Sequence, residues 1–232
     1  MISDQLRATL AQVTTATLTT VLLKQGIRNT WLRGPTPFGP AAQGTRVVGE
    51  AFTLRFVPMR EDLATPASWA SPRSTRAAIE EMPEGAVCVA DAMGVADAGI
   101  FGDILCARIA KRGVVALVTD GAVRDAAGVA ATGLPVWCRG AAAPASVAAL
   151  TFAGWQEPIA CGGVAVLPGD VIVADEDGAI VLPQALAAAA AASALEQERE
   201  EAWVLAEVHA GAPLPGLYPM SAETRARFER TR

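Results

Sequence analysis

Between Ala86 and Cys138 the chain alternates, with little spacer, between short apolar runs and amphipathic stretches of helical length. Ala86–Ala90 reads as a strand, Ile104–Lys111 as a helix, Val114–Thr119 as a strand, Arg124–Ala131 as a helix and Pro135–Cys138 as a strand. Strands that follow one another through helical crossovers pair in parallel and need helices on their faces, so this rhythm predicts an α/β unit.

The flanks are read from periodicity and punctuation. Leu6, Leu10, Val13, Leu18, Val21 and Leu22 recur at near-helical spacing and predict one helix from about Ser3 to Lys24. The Pro- and Gly-rich stretch 29–44 is an irregular connection, and Val47–Val57 a strand. The segment 58–72, containing MREDLATPASWAS, is long for a connection inside a compact domain, as functional loops often are. A short helix is expected over Ser74–Glu81. Short strands follow at Val164–Leu167, Val171–Ala174 and Ala179–Leu182, the last two forming a hairpin around Asp175–Gly178. A long Ala/Glu-rich helix is expected over Pro183–His209, then an extended Pro/Gly-rich arm over Gly211–Pro219. The expectation is one domain over 1–232, with an N-terminal helix and connection (1–45), an α/β core (46–182) and a C-terminal helix and arm (183–232).

A net charge of −5 offers no electrostatic footprint for a nucleic-acid backbone, so no nucleic-acid partner is expected. No run approaches the ~20 apolar residues that cross a bilayer, so no membrane partner is expected either. Asp4 and Arg7 interrupt the N-terminus where a secretory signal needs an unbroken apolar stretch, which predicts a cytoplasmic protein. Cys88, Cys106, Cys138 and Cys161 form no C-x-x-C pair and read as buried free thiols.

What is scarce narrows the chemistry. The two lysines, Lys24 and Lys111, sit where helices end and read as surface cations, which argues against Schiff-base chemistry. The one histidine, His209, falls at a helix end, so a Ser-His-Asp or Cys-His arrangement lacks its base and zinc its usual nitrogen ligands. A metal would have to be held by carboxylates and water, and hard oxygen ligands favour Mg²⁺ or Mn²⁺.

Two stretches can then bind an anion and a metal together: Gly102-Asp103-Ile104-Leu105 at the start of one helix, and Thr119-Asp120-Gly121-Ala122-Val123-Arg124-Asp125 after a strand. Both belong at the C-terminal ends of parallel strands, where ligands gather in α/β sheets. Backbone N–H groups of Ile104 and Leu105 suit a carboxylate, Arg124 adds a forked donor pair, Asp125 can hold a divalent cation, and Asp103 can assist through a water. A 2-oxo acid chelates such a cation, which stabilises the enolate formed when the adjacent bond breaks. The same residues also fit a plain reading, with Asp103 capping its helix and Arg124-Asp125 an exposed ion pair, and on their own they leave the choice open.

The run GDILCARIAKRGVVALVTDGAVRD, then GLPVWCRG, then GGVAVLPGDVIVADEDGAIVLP resembles the regulator-of-ribonuclease-activity-A-like family, which also contains class II 4-hydroxy-4-methyl-2-oxoglutarate/4-carboxy-4-hydroxy-2-oxoadipate aldolases. The resemblance is continuous over about Gly99–Pro183 and weaker at TTATLTTVLL. It implies a swivelling β/β/α-type α/β sandwich with N- and C-terminal helical extensions, assembled as a homotrimer or a dimer of trimers. It also implies that Arg124 and Asp125 bind substrate and metal, with Asp103 and the Ile104 and Leu105 amides alongside. The chain departs from the aldolases in lacking a histidine before the Gly-Asp motif. Those aldolases also draw a glutamate from a neighbouring subunit, for which Glu198, Glu200 and Glu201 qualify.

The expected function is a divalent-metal-dependent lyase on a small 2-oxo acid, an aldolase or oxaloacetate decarboxylase working through a pyruvate enolate. Its rivals are a non-catalytic regulator that binds a ribonuclease or other protein partner, and a dehydratase or hydratase of sugar-derived oxo acids. Asp170 and the Asp175-Glu176-Asp177 cluster read as turn residues, Asp91 and Asp97 as neighbours of the site, and Trp69, Trp137 and Trp155 as core or interface anchors.

Overall fold

The computed structural model describes residues 2–231. In chain order the elements are α1 (Asp4–Leu10), α2 (Thr15–Lys24), β1 (Thr36–Phe38), β2 (Val47–Pro58), α3 (Thr75–Glu81), β3 (Ala86–Asp91), β4 (Gly99–Phe101), α4 (Asp103–Lys111), β5 (Ala116–Thr119), β6 (Ala122–Val123), α5 (Ala126–Ala131), β7 (Val136–Cys138), β8 (Leu150–Trp155), β9 (Val171–Asp175), β10 (Gly178–Leu182), α6 (Gln184–His209) and α7 (Ala222–Glu229). The main sheet runs β1-β7-β5-β3-β2-β9-β10, and β8 also pairs with β2. From β7 to β2 the strands are parallel, as the strand–helix rhythm predicts, while β9, β10 and β8 enter antiparallel.

The long strand β2 organises the sheet. One of its edges pairs with β3 over Glu50–Arg55; its first half pairs with β9 and its second half, from Leu54 on and across an irregularity at Arg55/Phe56, with β8. One apolar layer, with Leu54, Ile79, Phe101, Ile109 and Leu117, lies under α3 and α4. A second, with Leu32, Val89, Val118, Trp137 and Ile172, lies on the opposite face. A third joins α1, α2 and α6 to β9 and β10 through Leu10, Leu18, Leu22, Ile180 and four alanines of α6. Alanine explains the close approach of that long helix: Ala187, Ala190, Ala191 and Ala194 recur at helical spacing on its buried side. Among the described residues, no helix is long and apolar enough to cross a membrane.

Five expectations require correction, the first being that stretch 29–44 is irregular throughout, since its Thr36–Phe38 is a strand paired antiparallel with β7. The single helix over 3–24 is two helices, because Thr14 adopts an extended conformation and caps α2 through Thr17 N, as Ser3 caps α1 through Leu6 N. The apolar spacing runs through the break because both helices bury their faces in the same cluster. Val164–Leu167 is not a strand; it follows a 3₁₀ turn at Cys161–Gly163 and contributes one isolated bridge, Ile159↔Val166, between glycines and Pro168. The tail is not an extended arm: residues 211–220 turn back and α7, capped by Ser221, packs on α6 with Phe228 5.7 Å from Trp203. The helix expected from Arg124 starts only at Ala126.

The N-terminus of α2 is held by two carboxylates, a favourable placement against its unpaired N–H groups. Asp175 accepts from Thr15 N (2.8 Å) and Oγ1 (2.6 Å), so it is a buried tether as well as a hairpin residue. Glu198 of α6 accepts from Thr14 N and Oγ1, both at 2.8 Å. Burial by itself would raise the Glu198 pKa, but the Thr14 and Thr17 donors and the charge of Arg46 outweigh it and leave it below 4.5. Glu198→Ala is expected to cost about 1–2 kcal/mol, seen as a melting point about 3–6 °C lower at pH 7. A lowered carboxylate pKa stabilises above the unfolded value and loses that contribution as pH falls through the folded one. Thermal melts of the variant and wild type must therefore converge below about pH 4.5.

Candidate active site

Two very short strands build the site. β4 and β6 pair in parallel, Gly99 opposite Ala122 and Phe101 opposite Val123, and Arg124 N donates to Phe101 O at 2.8 Å. This pairing lays Arg124-Asp125 against Gly102-Asp103 at the start of α4. The approach demands glycine on one side: a Cβ on Gly99 would stand 2.6 Å from Arg124 Cβ, and one on Gly102 would stand 2.6 Å from Asp125 Oδ2. All six residues singled out from the sequence, Gly102, Asp103, Ile104, Leu105, Arg124 and Asp125, line one cleft of about 270 Å³.

Within the cleft Arg124 Nε lies 3.2 Å from Asp125 Oδ2, both side chains being partly exposed. That Nε is buried and makes no hydrogen bond. Asp125 adopts a left-handed conformation (φ 53°, ψ 47°) just before α5, yet its side chain does not cap that helix. A non-glycine residue held in this region costs of order 1–3 kcal/mol and points toward function when nothing local requires it. Asp103 Oδ1 accepts from Ile104 N at 2.7 Å, so one of the two expected amide donors is engaged by its own neighbour while Leu105 stands at the same helix start. Ile104, 80% exposed, forms an apolar lip.

Other residues singled out from the sequence lie elsewhere. Asp91 accepts from Met93 N and Ala160 N, and Asp97 is an exposed loop residue; neither lines the cleft. Glu198 holds α2, Glu200 pairs with Arg225 at 2.7 Å, and Glu201 accepts from Gln197 at 2.9 Å, all away from this chain's cleft. The four cysteines are buried and free; burial pushes Cys106 up to about 12 and Cys138 up to about 11, which removes thiolate nucleophiles from the choices. Trp137 is in the core, donating to Asp175 O at 2.7 Å, and Trp155 bonds Glu81. Trp69 is not a core residue: it lines the cleft, opposite α4. Sequence reasoning also missed Thr75, Arg76, Ala145 and Ser146 in the lining. The unusual length of segment 58–72 was the available signal for Trp69, and an arginine in the first turn of a short helix offered none.

The cleft lining fits a hard divalent cation that keeps most of its water. Its acidic groups are Asp103 and Asp125, it contains no histidine or cysteine, and Gly102 leaves the flank of Asp125 Oδ2 open. Among the described residues, no group of three or more His, Cys, Asp or Glu side chains is placed to hold a metal ion.

The chain matches the RraA-like (Aldolase/RraA) family model over residues 10–181 and belongs to that family. Among solved structures it is similar to Streptomyces coelicolor RraAS2, described as an unusual member of the RNase ES inhibitor RraA protein family. The two are 38% identical, with 87% of this chain and 96% of that one covered at a TM-score of 0.77. An uncharacterized protein of Pseudomonas syringae pv. tomato is 27% identical, covering 94% and 98% at 0.78. These neighbours bear out the α/β sandwich of this family. Among curated proteins, one from Halalkalibacterium halodurans, provisionally named a 4-hydroxy-4-methyl-2-oxoglutarate aldolase, is 35% identical over 145 residues, 62% of this chain and 63% of that protein. Protein DlpA of Legionella pneumophila is 31% identical over 144 residues, 62% of this chain and 22% of its own length. The chain thus spans less than two thirds of these curated relatives.

Proposed function

We propose that this protein is a divalent-metal-dependent lyase that cleaves a small 4-hydroxy-2-oxo acid to pyruvate and a second carbonyl compound, or decarboxylates oxaloacetate by the same chemistry. The observation that carries the reading is Asp125, held in a left-handed backbone beside Arg124 and Asp103 with its carboxylate spent on no helix cap. The name given to the Halalkalibacterium halodurans relative supports it.

Asp125, with Asp103 through water, would hold Mg²⁺ or Mn²⁺, which when bound supplies positive charge beside the 2-oxo group. Arg124 binds the substrate carboxylate and keto oxygen through the partly exposed guanidinium that it presents to the cleft. The Leu105 amide at the start of α4 adds a donor for the same anion. In aldol cleavage Asp103 Oδ2 accepts the proton of the 4-hydroxyl group while Oδ1 stays fixed on Ile104 N. The C3–C4 bond breaks, its electron pair forms the C2–C3 double bond of an enolate, and the proton then returns to C3. Trp69 and Ile104 shield this exchange from bulk water at the cleft mouth.

Pyruvate release from 4-hydroxy-2-oxoglutarate and from oxaloacetate tests the reading. Activity should fall at least tenfold on exhaustive chelation and return with Mg²⁺ or Mn²⁺; activity that survives chelation sinks it. The description of the Streptomyces coelicolor neighbour favours a second reading, a regulator that binds a ribonuclease. Capture of a purified RNase E-type enzyme, unaffected by Arg124→Ala, would mark that role.

A further inference from the structure

Beside the cleft lies a second cavity, of about 420 Å³, that the proposed chemistry does not use. Trp69, Thr75 and Ser146 line both spaces, so cleft and cavity share a wall. The fold explains the adjacency. Gly99, a lining residue of the cleft, donates from its N–H to Pro144 O at 2.9 Å and forms a bridge with Ala145. The 3₁₀ turn Ser146–Ala148 therefore starts at the cleft and leads to β8 by way of Val147 and Leu150, which line the second cavity alone. Across from it, the 3₁₀ turn Pro66–Ala70 supplies Trp69 and the first residue of α3 supplies Thr75.

The chemistry of the two spaces differs. The cleft holds the charged residues Asp103, Asp125, Arg76 and Arg124, whereas those of the second cavity, Asp62 and Arg73, are spent within the chain. Asp62 takes two bonds from Arg60, each at 2.7 Å; Arg73 pairs with Glu157 at 2.9 Å and donates to Ala153 O at 3.0 Å. The other polar side chains are hydroxyls, of which Ser68, Ser71, Ser74 and Thr151 are bonded to backbone groups. Much of the apolar lining is aromatic: Phe56 and Phe152 stand edge to face with centroids 5.3 Å apart, and Trp69 belongs to the shared wall. A carboxylate entering this cavity gives up water and meets no uncommitted cation, while an uncharged ring gains burial against other rings.

We infer that this cavity is a subsite for an uncharged aromatic group carried on C4 of a 2-oxo acid whose head occupies the cleft. The inference rests on the lyase reading for the place of the head, and it gives that reading a substrate class: 4-aryl-4-hydroxy-2-oxobutanoates. Their C3–C4 bond breaks, its electron pair goes to the enolate, and the 4-hydroxyl proton passes by way of Asp103 to C3. The products are pyruvate and an aromatic aldehyde.

The test is calorimetric titration of the Mg²⁺-loaded protein with 2-oxo-4-phenylbutanoate and with 2-oxobutanoate. These probes share the head and differ in the ring, and neither has the 4-hydroxyl group that cleavage requires. Wild type should bind the phenyl probe about 10- to 100-fold more tightly, the range for burying one ring. Val147→Trp and Leu63→Trp each fill the second cavity without touching the cleft lining, and Leu63, 48% exposed, tolerates the larger side chain with least strain on the core. Each should bring the two probes within about threefold by weakening the phenyl probe alone. Equal binding of the probes by wild type, failure of both to bind, or a ring advantage that survives both substitutions overturns the inference. Pyruvate release, measured separately, reports on the lyase reading. Turnover of 4-hydroxy-2-oxoglutarate without a ring advantage leaves the lyase and removes the subsite; a ring advantage lost in both variants, with no turnover of any 4-hydroxy-2-oxo acid, does the reverse.

Discussion

Arg124→Ala is expected to lower pyruvate release about a thousandfold, the upper range for removal of one preorganised donor to developing negative charge. The melting temperature should move by no more than a few degrees. The two expectations separate because Arg124 contributes to the fold mainly through its backbone: its N–H bonds Phe101 O, and its Cβ packs on Gly99. An alanine keeps both. The side chain's ionic contact is with Asp125, and a partly exposed pair of this kind is worth about 0–1 kcal/mol. Its catalytic value is greater because the partly exposed guanidinium lines the cleft, where a preorganised donor is worth more than an ion pair at the surface. Arg124→Lys should recover little, since a point charge on a flexible stem does not reproduce two parallel donors. Coupled pyruvate assays and thermal melts on the same preparations decide the matter. Activity within threefold of wild type removes Arg124 from the mechanism, and a collapse of both activity and melting temperature makes it a structural residue.

The parts of this molecule that could be read in advance share a physical cause. Parallel strands buried on both faces carry continuous apolar runs, so β3, β5 and β7 stand out, and the residues just beyond such strands are where ligands gather. Gly102, Asp103, Arg124 and Asp125 therefore stand out as candidates from position and chemistry, the resemblance adds roles for them, and the fold brings them into one cleft. What escaped depends on pairing between distant segments. β4 and β6 have three and two residues, too few for any period to register, yet their pairing assembles the cleft. β8 was missed because its partner, β2, had already been read as one strand; a strand that changes neighbours halfway leaves no mark in its own sequence. The break between α1 and α2 was hidden because both helices continue one apolar stripe.

Asp120→Ala is expected to cost about 3–5 kcal/mol and lower the melting temperature by about 10 °C, the largest stability effect of any single substitution considered. Asp120 belongs to the same TDGAVRD motif as Arg124 but is no ligand. It is 3% exposed and accepts from Ala92 N at 2.7 Å through Oδ1, and from Gly94 N and Gly162 N, each at 3.0 Å, through Oδ2. One carboxylate thereby ties the loop after β3 and the turn before Val164 to the end of β5, and alanine leaves three amides without their acceptor. Asp120→Asn should cost roughly half as much: an amide oxygen in the Oδ2 position satisfies two of the donors, while its NH₂ group faces the Ala92 N–H. The dependence on pH separates this residue from Glu198. Burial raises the Asp120 pKa above 3.8 despite the three backbone donors that oppose it. Between the unfolded and folded values the native state holds a proton that the unfolded chain has released, so this side chain's contribution grows as pH falls through that window. The gap between wild type and Asp120→Asn should therefore widen on acidification, whereas the gap between wild type and Glu198→Ala closes. Chemical denaturation of the three proteins at pH 7, 5 and 4 measures both slopes, and a gap for Asp120→Asn that narrows with acid would mean that its three hydrogen bonds, and not its burial, set its proton affinity.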